Sequence, residues 1–349
     1  MVPFGLVVGM ITVNSVMVLA SPGLHPWRHY YHEQNNHNAT GDYVYHSKNT
    51  YHAYQCIYTE DSKYCQLLTF PTTRDSYDIT AWGDNIELCV DSGVCGADAS
   101  CVKYCLGVYG GVKDVEYSMM LSGSEDCFGC CNLKKGKYCI LNKQYSKEDY
   151  YALRSTIIKD MNERPYKDAR GRTWKYGDFF PYDLSPFGYN ESCAHDYFPL
   201  SESNAEAHSY PWSRVEESSH KITWLSENIP DSIEEVDDSV VKEILECSSC
   251  KKAYRIVIDE LSLLRKLGVP VPRKCPHCRH RDRILRLTHP QFSKRTCQCT
   301  GETDASGSYK NTTQHSHGSV SCTNEFETPY TEDSDEIVYC EECYQREIM

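Results

Sequence analysis

Two cysteine pairs, Cys247-Ser-Ser-Cys250 and Cys275-Pro-His-Cys278, stand with 24 residues between them. Each pair turns two sulfurs toward one point, and two such knuckles supply the four thiolates of a closed tetrahedral zinc site. The stretch 247–287 must therefore fold so that its two ends meet around one centre. Its intervening residues say how. Lys251-Lys-Ala-Tyr-Arg-Ile-Val257 reads as a β-hairpin arm. Asp259 is placed to cap a helix carrying Leu261, Leu264 and Leu267, which stops at Gly268 ahead of Pro270 and Pro272. The second knuckle opens a basic helix over 279–287. Knuckle, hairpin and a helix that begins at the second ligand pair is the order of a treble clef, and iron held by four thiolates is the alternative metal.

A second site is expected in the last fifty residues. Cys297-Gln-Cys299 and Cys340-Glu-Glu-Cys343 are separated by 40 residues, and each is short enough to grip one ion. These four thiols are the expected ligands, so two structural zinc ions are expected in all. His315, His317 and Cys322 lie between them, in or just beyond a polar loop over 301–318, and are reserve ligands: each can replace one thiol or stay solvated.

The other cysteines bear on the compartment. The chain has 20 cysteines in 349 residues. In a secreted chain they would be disulfides, and in a reducing compartment metal ligands and buried thiols. Adjacent knuckle thiols favour the second, intracellular reading. Eleven cysteines from Cys56 to Cys193 precede the first knuckle, and most are expected to pack as small buried hydrophobes. A further metal site using Cys127, Cys130 and Cys131 is the sharper alternative. The N-terminal run 2–20 is apolar and uncharged but lacks a basic leader and is diluted by Gly5, Gly9, Thr12, Asn14 and Ser15. It reads as a buried or artificially started segment, or as a signal peptide, in which case the chain is secreted and the sequons at Asn38, Asn190 and Asn311 matter; no membrane span is expected.

Over 42–145 short runs of Tyr, Cys, Val and Ile alternate with small polar turn residues, and no helical apolar stripe appears. The punctuation recurs about every dozen residues. Two such units would make a coil of roughly two dozen, which predicts a parallel β-helix-like solenoid, with a β-sandwich as the rival. Ser146-Lys-Glu-Asp149 resembles a capping box ahead of Tyr150, Leu153, Ile157 and Met161, so 146–200 reads as a helical and irregular cap on the solenoid's end. Residues 201–246 read as an acidic linker anchored by Trp212 and Trp224, ending in a short helix over 237–246. The fold expected is thus mainly β with small α+β zinc modules: segment 1–41, solenoid 42–145, cap 146–200, linker 201–246, and a treble-clef module over 247–349 that carries the second site.

Several stretches are shared with a known group. They are Cys127-Phe-Gly-Cys130, Tyr138-Cys-Ile-Leu-Asn-Lys-Gln-Tyr145, Gly177-Asp-Phe-Phe-Pro181, Leu184-Ser-Pro-Phe-Gly-Tyr-Asn190, Pro272-Arg-Lys-Cys-Pro-His-Cys-Arg279, Asn324-Glu-Phe-Glu-Thr328 and Ile337-Val-Tyr-Cys-Glu-Glu-Cys343. Through them the chain resembles the uncharacterised treble-clef "probable zinc-ribbon" proteins of candidate-phylum bacteria and giant viruses, some of which carry a CoA-transferase label. The resemblance covers most of the chain after about Pro26. It implies zinc binding and brings no established activity. Those proteins usually carry an additional treble clef at the N-terminus, where this chain has its apolar stretch.

Charge narrows the function further. The formal net charge of −13 argues against nucleic-acid binding by the molecule as a whole. The distribution is uneven, however: 202–246 holds twelve acidic residues against three basic ones, and 247–295 holds thirteen basic residues against three acidic ones. Arg273, Lys274, Arg279, Arg281, Arg283 and Arg286 cluster around the second knuckle, where they can track phosphates or dock on the acidic stretch. A closed thiolate site has no position for substrate, and no nucleophile elbow, Walker loop, dinucleotide fingerprint or zincin motif occurs. The leading expectation is a zinc-stabilised scaffold that binds a macromolecular partner through exposed tyrosines. Nucleic-acid binding is the second, and a carbohydrate-active β-helix enzyme with paired carboxylates on one face is the third.

Overall fold

The computed structural model describes residues 27–214, 220–288, 290–299, 311–318, 320 and 322–348. The apolar stretch 2–20 lies outside them. The chain divides into two compact units, Met1–Leu184 with Pro290–Met349, and Ser185–His289. Among the described residues no helix is long and apolar enough to cross a membrane.

The first unit is built on a triplet rule. Tyr43, His46, Asn49, His52, Gln55, Tyr58, Asp61, Tyr64 and Leu67 all have φ between 47° and 59°, a left-handed turn at every third residue. The residue after each turn points inward: Val44, Ser47, Thr50, Ala53, Cys56, Thr59, Ser62, Cys65 and Leu68 are each no more than 2% exposed. Four triplets close one coil, so Lys48 pairs with Glu60 and Tyr54 with Gln66 in parallel register, 12 residues on. Later coils take in one or two extra residues, as Thr59 with Thr73 and Ser100 with Lys113 show. About eight coils stack this way. The parallel series runs from Glu33–Gln34 on His37–Tyr45 to Lys137–Ile140, where the antiparallel strand Lys143–Gln144 ends it.

Two expectations are corrected here. The dozen-residue punctuation is the whole coil and not half of one, because a left-handed turn every third residue closes the ring in half the length. The solenoid also begins before residue 42, since Glu33 pairs with Val44.

A coil this small leaves room only for small side chains inside. Its core is Cys56, Cys65, Cys89, Cys95, Cys105, Cys127, Cys130 and Cys139 among Val, Ile, Leu and Ala, with Ser and Thr filling the remaining inward positions. Ser and Cys interchange because both can receive a backbone N–H that the left-handed turn removes from the sheet ladder. In one column Cys105 N donates to Ser92 Oγ (3.0 Å), Ser118 N to Cys105 Sγ (3.4 Å), Cys130 N to Ser118 Oγ (3.0 Å) and Asn142 N to Cys130 Sγ (3.4 Å). Backbones approach closely at Gly41, where an added Cβ would lie 1.9 Å from Ala53 O and φ is 137°. The register shifts at that point.

Helix Lys147–Glu163 covers the last coils. Ser146 Oγ accepts Asp149 N at 3.1 Å, and Tyr150 is buried against Phe128 and Ile140. Arg154 pairs with Glu116 at 2.7 Å, and Tyr117 OH accepts Gly177 N at 2.9 Å and donates to Asp178 O at 3.0 Å. The cover stops at Leu184; residues from Ser185 belong to the second unit, so the expected cap 146–200 is split. At the other end, Trp27–His29 pairs in parallel with Ile337–Tyr339, and Thr328 Oγ1 donates to Tyr30 O at 2.8 Å. This pairing places Pro290–Met349 with the solenoid and not with the first knuckle pair, which corrects the single module expected over 247–349.

In the second unit the acidic stretch is no linker from Trp224 onward. Ile229, Ile233, Val236, Val240 and Leu245 share a core with Cys247, Tyr254, Ile256, Leu261, Leu264, Val271, Cys275 and Cys278. Charged residues stand between apolar ones spaced three and four apart, which makes the stretch look solvated when averaged. The short helix expected over 237–246 is a 3-10 turn, Asp238–Lys242, with Asp237 at its cap.

Candidate metal centres

Leu245–Glu246 pairs antiparallel with Ala253–Tyr254, and the first knuckle is the turn between them. Lys251 takes φ 61°, Cys247 N donates to Lys252 O (3.0 Å), and Ser248 N donates to Arg273 O (2.9 Å), which ties this knuckle to the approach of the second. Helix Ile258–Leu267 follows with Val257, not Asp259, at its cap, and ends at Gly268 in the left-handed region. The second knuckle starts helix Pro276–Ile284, three residues earlier than the expected basic helix, because Cys275 is itself the cap and its Sγ accepts Cys278 N at 3.5 Å. A helix N-terminus presents N–H groups and positive potential, which suits a thiolate.

Cys247, Cys250, Cys275 and Cys278 have their sulfurs within 4.8 Å of one another. Cys250 Sγ and Cys275 Sγ are 3.8 Å apart, and Cys275 N donates to Cys247 Sγ at 3.2 Å. Burial pushes the Cys247 thiol up, but N–H groups of Cys250, Cys275 and Ser249 more than offset it and bring it down to about 6. Sulfurs that receive backbone N–H groups and converge on one point fit a tetrahedral cation.

The six basic residues divide. Arg273 donates to Ile229 O (2.5 Å) and Asp231 (2.9 Å), Lys274 pairs with Asp282 (2.6 Å) and Arg279 with Glu260 (3.2 Å). These three hold the module together and tie it to the acidic stretch, which Arg265 also joins through Asp238 (2.6 Å). Arg281, Arg283 and Arg286 are exposed.

At the C-terminus the structure gathers Cys297, Cys322, Cys340 and Cys343, all buried, with sulfurs within 4.8 Å. Cys322 takes the position expected of Cys299. The reason is a hairpin: Ser293–Thr296 pairs with Glu325–Thr328, so Cys297 N donates to Asn324 O (2.9 Å) and Cys322 comes across the same strand pair. Cys340 ends strand Ile337–Tyr339 and precedes helix Glu341–Ile348. Its N–H donates to Cys297 Sγ (3.2 Å), and its sulfur lies 3.9 Å from Cys322 Sγ and accepts Asn324 Nδ2 (3.5 Å). Burial raises the Cys340 thiol, and the Cys343 N–H and Asn324 amide outweigh it and hold it below the ordinary thiol value.

Cys299 turns instead toward His315 and His317. Its Sγ lies 2.8 Å from His315 Nδ1 and 3.6 Å from His317 Nε2, and His317 Nε2 is 3.4 Å from Cys343 Sγ. These four ligand atoms also fall within 4.8 Å of one another. His315 is buried at 4% exposure rather than solvated in a loop. Both histidines are among the reserve ligands expected from the sequence, but they join Cys299 and Cys343 in a grouping of their own and do not replace a thiol of the four-cysteine set. In the solenoid Cys127 and Cys130 point inside while Cys131 is exposed, so those three do not converge. Comparison with family models, curated proteins and solved structures returns no match to this chain.

Proposed function

We propose that the protein is a zinc-stabilised scaffold, a β-solenoid with structural zinc modules that presents a face to a macromolecular partner. The observation that carries this is the pair of closed four-cysteine clusters, each built where strand, hairpin and helix ends meet. Four thiolates fill the coordination shell of zinc and leave no place for a substrate, so the ion acts as architecture. The order of hairpin, knuckle and capped helix in 245–284 supports a treble clef, and the resemblance to zinc-ribbon proteins supports zinc over iron. Thiolate ligands and unpaired interior cysteines support a reducing, intracellular setting.

The contact face is argued from exposed aromatics on the solenoid. His52 stacks on Tyr64 at 5.2 Å, Tyr64 meets Tyr77 edge-on at 5.2 Å, and the two tyrosines are 46% and 45% exposed. His46 stacks on Tyr58 at 5.0 Å. Rigid aromatic rows of this kind anchor interfaces. A photo-crosslinker placed at Tyr64 is expected to trap a discrete adduct that one at exposed Lys134 does not, and equal labelling at both positions would remove the contact face.

Exposed Arg281, Arg283 and Arg286 favour a second reading, phosphate-backbone binding by the helix at the second knuckle. A gel shift that weakens with salt and is lost on reversing those three charges would support it. Salt-independent retention would count against it.

A further inference from the structure

We infer that the C-terminal module is a binuclear metal centre in which Cys343 Sγ bridges two ions, one held by Cys297, Cys322, Cys340 and Cys343 and the other by Cys299, His315, His317 and Cys343. The inference rests on the zinc reading of this module and adds an ion to it.

Two complete ligand sets share one sulfur, and in each set every ligand atom lies within 4.8 Å of the others. The histidines are oriented as ligands. His315 Nε2 lies 2.7 Å from Glu347 Oε1, with both side chains no more than 1% exposed, and Glu347 is itself fixed by Thr312 N (2.9 Å) and Thr312 Oγ1 (2.5 Å). His317 Nδ1 lies 2.6 Å from Val320 O. A carboxylate and a carbonyl only accept, so each of these nitrogens carries the proton. The lone pairs are then on His315 Nδ1 and His317 Nε2, the two atoms that face Cys299 and Cys343. A carboxylate or carbonyl behind a histidine is the usual outer support of a metal ligand. Zinc bonds of about 2.1 Å to nitrogen and 2.3 Å to sulfur put tetrahedral N···S pairs roughly 3.5 Å apart. His317 meets that with 3.6 Å to Cys299 and 3.4 Å to Cys343, and His315 at 2.8 Å to Cys299 would open slightly around an ion.

Charge counting points the same way: one divalent ion offsets two of the five thiolate charges and two ions offset four, the thiol protons leaving to solvent as the ions bind. Cys299 Sγ is also held in place: it accepts Asn311 Nδ2 at 2.9 Å, and Tyr339 OH holds that amide through Asn311 Oδ1 at 2.5 Å.

Native mass spectrometry and elemental analysis of the full chain test this. Three zinc ions per chain are expected, falling to two in His317→Ala and in Cys299→Ser while circular dichroism of the solenoid stays unchanged. Cadmium-113 NMR of the exchanged protein should give three signals, two of them split by coupling through the shared sulfur. Two ions in the unaltered protein, a third that survives His317→Ala, or the absence of that coupling overturns the bridge and leaves the scaffold reading standing. No bound ion at all overturns both.

Discussion

Ser118 Oγ accepts the N–H of Cys130 at 3.0 Å and donates to Glu116 O at 2.9 Å, joining two successive coils from inside. Ser118 is fully buried. Ser118→Ala strands the Cys130 N–H away from water, which costs about 1–3 kcal/mol. Ser118→Cys should cost less, because Cys105 and Cys130 already serve the same column with sulfur. Urea unfolding of the two variants checks the order; equal losses would mean that the column contributes no hydrogen bonding.

Leu88 has φ 54° and is 55% exposed, so it bears the strain of a left-handed turn with little packing in return. A side chain bearing Cβ costs roughly 1–2 kcal/mol in that conformation, and Asn tolerates it better. Leu88→Asn is expected to raise the unfolding free energy by about 0.5–1 kcal/mol, read as a higher urea midpoint. A drop would show that the leucine packs against something that matters.

Asp168 accepts N–H groups of Arg170 and Arg172 (2.9 Å each), Arg172 Nε (2.5 Å) and Trp174 Nε1 (3.1 Å), closing the turn between Tyr166–Lys167 and Thr173–Trp174. Burial alone would raise its carboxyl, but these donors prevail and hold it at about 2, against 3.8 when free. A folded-state value below the unfolded one gives stability that is complete above about pH 4 and is lost as pH falls toward 2. The stability gap between wild type and Asp168→Asn should therefore be full at pH 7 and close between pH 4 and 2. A gap that does not change over that range would refute the assignment.

Burial pushes the thiols of Cys89 and Cys105 up to about 11 and about 12. Inside the coils such groups are neither ionised nor reachable. Brief alkylation of the native protein at pH 7.5 should mark Cys131 and, more slowly because burial also raises its thiol, Cys193. Mass spectrometry that finds Cys56, Cys89 or Cys105 modified at a similar rate would mean the coils open.

Cys278→Ser removes one thiol from the first four-cysteine cluster, which shares a core with Ile229, Val236 and Leu261. Structural zinc sites in small peptides are worth about 10–16 kcal/mol at neutral pH. The variant is expected to bind one ion fewer and to become protease-sensitive within 185–289 while 33–145 resists. Full protection of 185–289 would mean that this core stands without its metal.

The sequence discloses the first centre because Cys247, Cys250, Cys275 and Cys278 come as two contiguous pairs whose geometry is local. The C-terminal centre is different. Cys322 reaches it only through the pairing of Ser293–Thr296 with Glu325–Thr328, a tertiary event that spacing does not record, so Cys299 stood in its place. The solenoid was visible as a dozen-residue beat, but its coil size was not. Its periodicity is three, neither the two of a strand nor the 3.6 of a helix. Its inward positions also carry Ser47, Ser62 and Ser76, which read as turns until the column of N–H acceptors is seen. Ile233, Val236 and Val240 were lost in the acidic average of their segment.

Parallel coils of nearly equal size form a surface onto which another such coil can settle, the route by which stacked chains grow into fibres. Here the final coil turns back on itself through Lys143–Gln144 and lies beneath Tyr150, while at the first coil Tyr330 OH lies 3.5 Å from His32 Nε2 and Thr328 Oγ1 donates to Tyr30 O. Among the described residues, segments of the same polypeptide thus lie where a further coil would settle at either end.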